Sequence, residues 1–339
     1  MPMTLDEVLV KAATSETASL ASLVVAIAAA TKGIAGLLAM GALAGTIGAG
    51  PDQNVDGDMQ QNLDVRAQAL MMRAMEGGHV AAVTSKELLD WQLLDATAPY
   101  AVTLDTLDGS ANIDTNITIG TIFSILPATG RENPFMQAGS QQIAAGFTVY
   151  GPRTLLVLTL GEGVNVFTLD PRDHTWRLTH ERVQIAPSAP EYAVNASNYR
   201  HWNEPVRTFV DDCVSGTEGP REKNFNMRWI GSLVAEAFRV LTRGGVILFP
   251  GDTRAGNRKG RLQLIYEAHP IAFVMEQAGG LASNGTSRIL EMSAETLHQH
   301  VPLFFGSSAK VERIERLHHS QHTRTAPSPL FGQRGLFRI

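Results

Sequence analysis

Residues 104–115 read LDTLDGSANIDT and carry the densest chemistry in the chain. The apolar run just before them, residues 100–105, is expected to form a short strand with Asp105 at its end. Asp108 follows three residues later, then Gly109 and Ser110. A strand end opening into such a loop can aim two carboxylates and several backbone N–H groups at one point. Carboxylates hold Mg²⁺, and N–H groups at the start of the next element cradle a phosphate. Gly109 allows the backbone to come close to a ligand. The same residues also suit a polar turn with Asp caps, so the decision rests on what the rest of the chain supplies.

The elements that must position these residues change in type along the sequence. Residues 1–50 read as helix, closing in a Gly-rich stretch and Pro51, and residues 58–75 form a second helical candidate. From Tyr100 the pattern turns to strands at 100–105, 116–126, 144–150, 153–160 and 164–170, joined by Gly-Pro and Gly-Glu-Gly turns. This meander predicts an at least partly antiparallel sheet. A strand over 191–197 opens the second half, followed by a helix over 227–243, strands at 246–249 and 261–266, and a helix over 270–278. The expected class is α/β: two stacked domains with mixed sheets, 1–190 carrying the acidic loop and 191–320 following it, with a disordered tail at 321–339.

Composition narrows the function. The chain has 339 residues, enough for two domains. Its 28 Lys+Arg against 33 Asp+Glu give a net charge of −5, which excludes a surface built throughout for nucleic acid. One cysteine, Cys213, excludes an internal disulfide and a Cys-rich metal site. Residues 20–40 are long and mostly apolar, but Lys32 interrupts them and the large residues fall at helical spacing, so a packed helix rather than a membrane span is expected. No His-x-x-x-His pair has a carboxylate companion, and Gly139-Ser140 lacks the strand-turn-helix setting of a nucleophile elbow.

The acidic loop has company. Residues 105–114 followed by IGTIFS (119–124), WIGSLVAE (229–236), GGVILFP (244–250), GRLQLIYE (260–267) and AFVMEQAGG (272–280) resemble, in order and spacing, the class I fructose-1,6-bisphosphatases, and most of all the bacterial members of the Calvin cycle. The resemblance spans roughly residues 15–317. It implies a cytoplasmic homotetramer that hydrolyses the 1-phosphate of a sugar bisphosphate with two or more Mg²⁺ ions per subunit. Asp105 would bridge two ions, Leu107 would offer its carbonyl oxygen, and Asp108 and Glu267 would bind the second ion. Asp64 matches an aspartate that helps to activate the attacking water. Ser110 and the amides of Gly109 to Ala111 would receive the phosphate being removed. At the distal phosphate the matching positions are Asn195, Arg228, Trp229, Phe249 and Arg261. The residue at the Arg228 position reaches across a subunit interface.

The chain also departs from that pattern. The family's Ser-Glu-Glu segment, whose first glutamate is a metal ligand, reads Ser85-Lys86-Glu87. Either Lys86 stands at the ligand position, where a protonated amine cannot coordinate Mg²⁺, or the register shifts by one and Glu87 serves as ligand and base. Two alternatives follow: a sugar-phosphate-binding paralogue without turnover, or an inositol or nucleotide phosphatase of the same superfamily. Residues 17–20 and Pro99-Tyr100 depart from the family's nucleotide-inhibitor site, so weak or absent inhibition by AMP is expected.

Overall fold

The computed structural model describes residues 2–12, 14, 17–44, 49–53, 59–77, 79–128, 130 and 132–320, so the tail expected to be disordered lies outside the described residues. The helices are α1 (Leu5–Ala12), α2 (Ala18–Met40), α3 (Asn62–Met75), α4 (Glu204–Val214), α5 (Leu233–Arg243), α6 (His269–Gln277) and α7 (Ser308–His319). A ribbon of β1 (Ala49–Gln53) and β2 (Met59–Gln61) precedes the first large sheet. That sheet is built from β3 (Val80–Ser85), β4 (Gln92–Leu93), β5 (Tyr100–Asp108), β6 (Ile119–Pro127), β7 (Ala144–Tyr150), β8 (Thr154–Thr159), β9 (Asn165–Leu169) and β10 (Trp176–His180). The remaining strands are β11 (Glu191–Val194), β12 (Asn226–Met227), β13 (Val246–Phe249), β14 (Leu262–Gln263), β15 (Leu281–Ser283), β16 (His300–Val301) and β17 (Leu303–Gly306).

The first sheet has the order β10-β9-β8-β7-β6-β5-β3-β4, a meander from β5 onward, with β3 running parallel to β5. The second has the order β12-β11-β13-β17-β15, and β14 pairs separately with β16. Side-chain alternation sorts the layers. Val102 and Leu104 of β5 pack with Leu23, Ile27, Ile34 and Met71 of α2 and α3 on one face. Ala101 faces the other way, into a cluster where Ala237 and Val240 of α5 and Ile271 and Val274 of α6 meet Ile247 and Phe305 of the second sheet. The far face of that sheet carries α4 and α7 through Val206, Phe209, Val311 and Ile314. The stack is therefore helix, sheet, helix, sheet, helix, with α5 and α6 in the middle. Although α2 is long and apolar enough to cross a membrane, Leu20, Leu23, Val24, Ile27, Ile34 and Leu37 are buried in the first of these clusters.

Several local readings change in the structure. The strand expected over 191–197 stops at Val194 and passes into a 3₁₀ helix, Ala196–His201, and the helix expected over 58–75 starts at Asn62, after β2. The helix expected over 227–243 starts only at Leu233, because Gly231 takes φ +80° and Ser232 accepts the Ala235 N–H as its N-cap. The strand expected over 261–266 stops at Gln263 and winds into a π-turn, Leu264–Ala268, that leads directly into α6. The strand expected to end at Asp105 runs on to Asp108. Helices α4 and α7 and strands β1, β2, β3, β4, β10, β12, β15, β16 and β17 lie beyond the expected elements.

Candidate metal and phosphate centre

In a regular strand, residues 105 and 108 point to opposite faces. Here Asp105 pairs with Ile122 and Asp108 with Gly120, so β5 carries one more residue than β6 between the two pairs. This bulge shifts the alternation by one. Leu107 turns into the helix-covered face with Leu104, and Asp108 joins Asp105 on the face toward α5. Thr103, on the same face as Asp105, donates to the Ile265 carbonyl at 3.1 Å and so holds the π-turn that carries Glu267. Asp105, Asp108 and Glu267 consequently place a carboxylate oxygen each within 4.8 Å of one another, all buried. Among the described residues, this is the group of acidic side chains suited to a metal ion.

Two of the three carboxylates are oriented by backbone amides. Asp108 Oδ2 accepts the Val234 N–H at 3.1 Å, and Glu267 Oε2 accepts the Gln263 N–H. Val234 lies in the first turn of α5, whose positive end favours an anion. Burial, together with the charges of Asp105 and Glu267, pushes the Asp108 carboxyl up to about 8. Burial likewise raises Glu267 against the opposing pull of Lys86. Three hard oxygen donors crowded in one buried spot, at least one of them unwilling to ionise by itself, fit a divalent cation.

Lys86 enters this cluster. Its N–H donates to the Leu104 carbonyl at 3.0 Å and extends the β3–β5 ladder by one step. Its ammonium stands 3.2 Å from Asp105 Oδ2 and 3.0 Å from Glu267 Oε1. Burial would lower its pKa, yet the three surrounding carboxylates outweigh that and raise it well above the usual lysine value. Within Ser85-Lys86-Glu87, Lys86 is the residue whose side chain reaches the acidic cluster. Glu87 stands outside the group of three, its N–H tied to Ser85 Oγ at 3.1 Å. Asp64 is buried in the first turn of α3 and also lies outside that group.

The loop expected to receive a phosphate follows without a break. Gly109 has φ +79°, a backbone that glycine adopts without strain. Ser110–Asn112 forms a 3₁₀ turn closed by the Asn112 and Ile113 N–H groups, which leaves the Ser110 and Ala111 amides outside the turn's own bonds. Asn112 Nδ2 donates to the Gly231 carbonyl at 3.1 Å and so docks the loop on the segment before α5.

That segment leads to a second feature, a cavity of about 220 Å³ lined by Asn195, Asn198, Trp229, Phe249, Asn257 and Arg261 among others. Trp229 and Phe249 stack at 5.3 Å with a tilt of 57°. Arg261 is exposed and held by Asn257 Oδ1 at 3.1 Å. Asn195 Oδ1 accepts from Ser197 N and Oγ, which fixes the turn after β11. Arg228 is not among the residues that line this cavity: it pairs with Glu191 at 3.3 Å and is about half exposed. The structure therefore brings Asn195, Trp229 and Arg261 together and leaves Arg228 at the surface. Leu262 lines the cavity while the next residue, Gln263, holds Glu267, so this wall adjoins the acidic centre.

Two supports are absent from the sequence reading. Glu236, fully buried, accepts the Ile230 N–H and both Nε and Nη2 of Arg239, whose Nη1 also binds Glu191. This clamp fixes the 228–232 segment. The other is the α5 amide on Asp108. A polar residue on the inner face of an amphipathic helix is the sequence signal for the first; the second depends on tertiary contact alone.

Known proteins resemble this chain over most of its length. Residues 3–181 match the fructose-1-6-bisphosphatase N-terminal domain model and residues 185–319 the C-terminal domain model. The chain is 55% identical over 325 residues to the class 1 fructose-1,6-bisphosphatase of Rhodopseudomonas palustris (strain HaA2), covering 96% of this chain and 95% of that protein. It is 53% identical to the enzyme of the same name from Nitrobacter vulgaris, covering 93% and 92%. In structure it is similar to Leishmania major fructose-1,6-bisphosphatase in holo form, with a TM-score of 0.88, 31% identity, and coverage of 94% of this chain and 100% of that one. With two domain models accounting for most of its length and a relative above half identity, the chain belongs to the fructose-1,6-bisphosphatase family.

Proposed function

We propose that this chain is a Mg²⁺-dependent phosphatase that hydrolyses the 1-phosphate of fructose 1,6-bisphosphate, giving fructose 6-phosphate and inorganic phosphate. The observation that carries this reading is the buried triad Asp105, Asp108 and Glu267 placed beside both an amide-presenting loop and a cavity with an arginine at its rim. The triad would hold Mg²⁺, with the Leu107 carbonyl as a further oxygen donor, and the ion when bound supplies Lewis-acid polarisation of phosphoryl oxygens. The amides of Gly109 to Ala111 and the Ser110 hydroxyl receive the phosphate to be removed. Arg261 and Asn195 orient the other end of the sugar, with the Trp229–Phe249 pair as its floor. A water attacks phosphorus in line, its proton passing to a carboxylate, Asp64 or Glu87. The bond from phosphorus to the C1 oxygen breaks, and that oxygen takes a proton. Positioning and charge stabilisation supply most of the acceleration in such a reaction.

The same site accommodates sedoheptulose 1,7-bisphosphate in this reading, since the loop addresses a terminal phosphate and not the length of the sugar. A cytoplasmic homotetramer in carbohydrate metabolism of the Calvin-cycle type, with no membrane or nucleic-acid partner, completes the proposal; the exposed Arg228 is the residue that crosses the subunit interface. AMP inhibits weakly or not at all. The test is ³¹P NMR of the products from both bisphosphates with Mg²⁺ present. Loss of the C1 phosphorus signal with the distal phosphate retained supports the proposal. Binding of bisphosphate without phosphate release would return the chain to a binding-only role.

A further inference from the structure

Lys86 places a fixed positive charge inside a centre otherwise made of carboxylates. Its ammonium is within hydrogen-bond distance of two of the three, Asp105 Oδ2 and Glu267 Oε1, and so spans that edge of the triangle. The third carboxylate, Asp108, is engaged from the other side by the Val234 amide. The lysine backbone is fixed as well. Its N–H extends the strand ladder onto Leu104, and the adjoining Ser85 hydroxyl donates to Gln68 Oε1 at 2.9 Å while accepting the Glu87 N–H. The side chain is only one-fifth exposed.

Charge and space lead to the same conclusion. With all three carboxylates ionised, as ion binding requires, the one ammonium leaves two net negative charges, which a single divalent cation neutralises. A second divalent cation shared by Asp105 and Glu267 would have to occupy the position of the ammonium, or sit within a few ångströms of it and be repelled. An ammonium has the charge and donor directions to bridge two carboxylates, but no lone pair while protonated and hence no capacity to bind a metal.

We infer that Lys86 is a tethered cation of the catalytic centre, occupying the Asp105–Glu267 edge so that the free enzyme takes one divalent ion, against Asp108, where two or more are implied by the family resemblance. This inference rests on the metal-dependent reading above and deepens it. Lys86 orients Asp105 and Glu267 for the ion and neutralises part of their mutual repulsion; it is a positioning residue.

The test is a count of Mn²⁺ ions by equilibrium dialysis, with electron paramagnetic resonance of the bound Mn²⁺, on the wild-type chain and on Lys86→Met and Lys86→Glu. One Mn²⁺ per wild-type chain with the spectrum of an isolated ion, and at least one further ion with a spin-coupled signal in Lys86→Glu, support the inference. Two bound ions in the wild type, or an unchanged count in a folded Lys86→Glu protein, overturn it while leaving metal dependence intact. No bound Mn²⁺ in the wild type or either variant overturns the metal-dependent reading and this inference with it. Circular dichroism checks that the variants fold, and the wild-type count alone decides if they do not.

Discussion

Asp108 Oδ2 and the Val234 amide are hydrogen-bonded at 3.1 Å, joining the bulge of β5 to the first turn of α5. This bond crosses from the first sheet to the helix layer that also supports the second sheet. It fixes the relative position of the acidic centre and of the 228–232 segment, which the Glu236–Arg239 clamp holds just before the same helix. The site is built at the seam between the two sheets, and its geometry depends on how closely α5 approaches the first one.

Asp108→Asn should separate catalysis from folding. The amide keeps the size of the carboxylate but loses its charge, so phosphate release should fall by roughly 10²-fold or more. The metal-free protein should keep or raise its melting temperature, because an acid whose pKa is pushed up to about 8 destabilises the fold whenever it must ionise. A phosphate-release assay and thermal unfolding in chelator check the two halves.

The same carboxyl predicts a pH dependence. Its folded pKa lies above its unfolded one, so the metal-free folded state holds the proton more tightly and this contribution to stability is lost as pH rises from about 4 to 8. A divalent ion must displace that proton, and apparent affinity should therefore climb by up to about tenfold per pH unit below 8 and level off above it. Isothermal titration with Mg²⁺ at pH 6.5, 7.5 and 8.5 measures this trend, which Asp108→Asn should flatten.

Gly120 is the position that lets α5 come close. It pairs with Asp108 across the strands, and a Cβ there would lie 2.2 Å from the Thr148 carbonyl oxygen and 2.6 Å from a Val234 methyl. Gly120→Val should cost about 2 kcal/mol or more by overpacking. It should also reduce activity beyond its effect on stability, since displacement of Val234 frees the Asp108 carboxylate. Denaturant unfolding combined with kinetics on the folded fraction distinguishes the two effects.

Arg261→Ala should act mainly on binding. Loss of a charge-assisted contact to the distal phosphate is worth about 1.5–3 kcal/mol, which is roughly a 10- to 100-fold rise in KM for the bisphosphate with a smaller change in kcat. Arg228→Ala, at the residue proposed to cross the subunit interface, should raise KM only where subunits are assembled and leave the dissociated chain at high dilution nearly unchanged. Steady-state kinetics of the pair read out the contrast.

How much was legible in advance follows from the range of the interactions. The meander from β5 to β9 is carried by local alternation and turn glycines, so residues 144–150 form a strand with the expected bounds; in the second sheet the apolar run 246–249 does so too. Asp105 and Asp108 were legible as a pair in the loop at 104–115, and Glu267 joined them only through the family resemblance. The convergence of the three was not legible, since it depends on a bulge that reverses side-chain alternation and on a π-turn where the pattern at 261–266 resembles a strand. Lys86 and Glu87 are adjacent in the chain and differ only in which one the last step of the β3–β5 ladder turns toward Asp105. Arg228 and Trp229, similarly adjacent, are separated by the turn before α5, so only the tryptophan meets the cavity.

The most direct measurement is phosphate release from fructose 1,6-bisphosphate by chelator-treated protein as Mg²⁺ is restored. Release of one phosphate per sugar that is absent in chelator, rises with Mg²⁺ and is lost in Asp108→Asn is the predicted result. Equal release with and without Mg²⁺, or full activity in Asp108→Asn, would contradict a centre built from Asp105, Asp108 and Glu267.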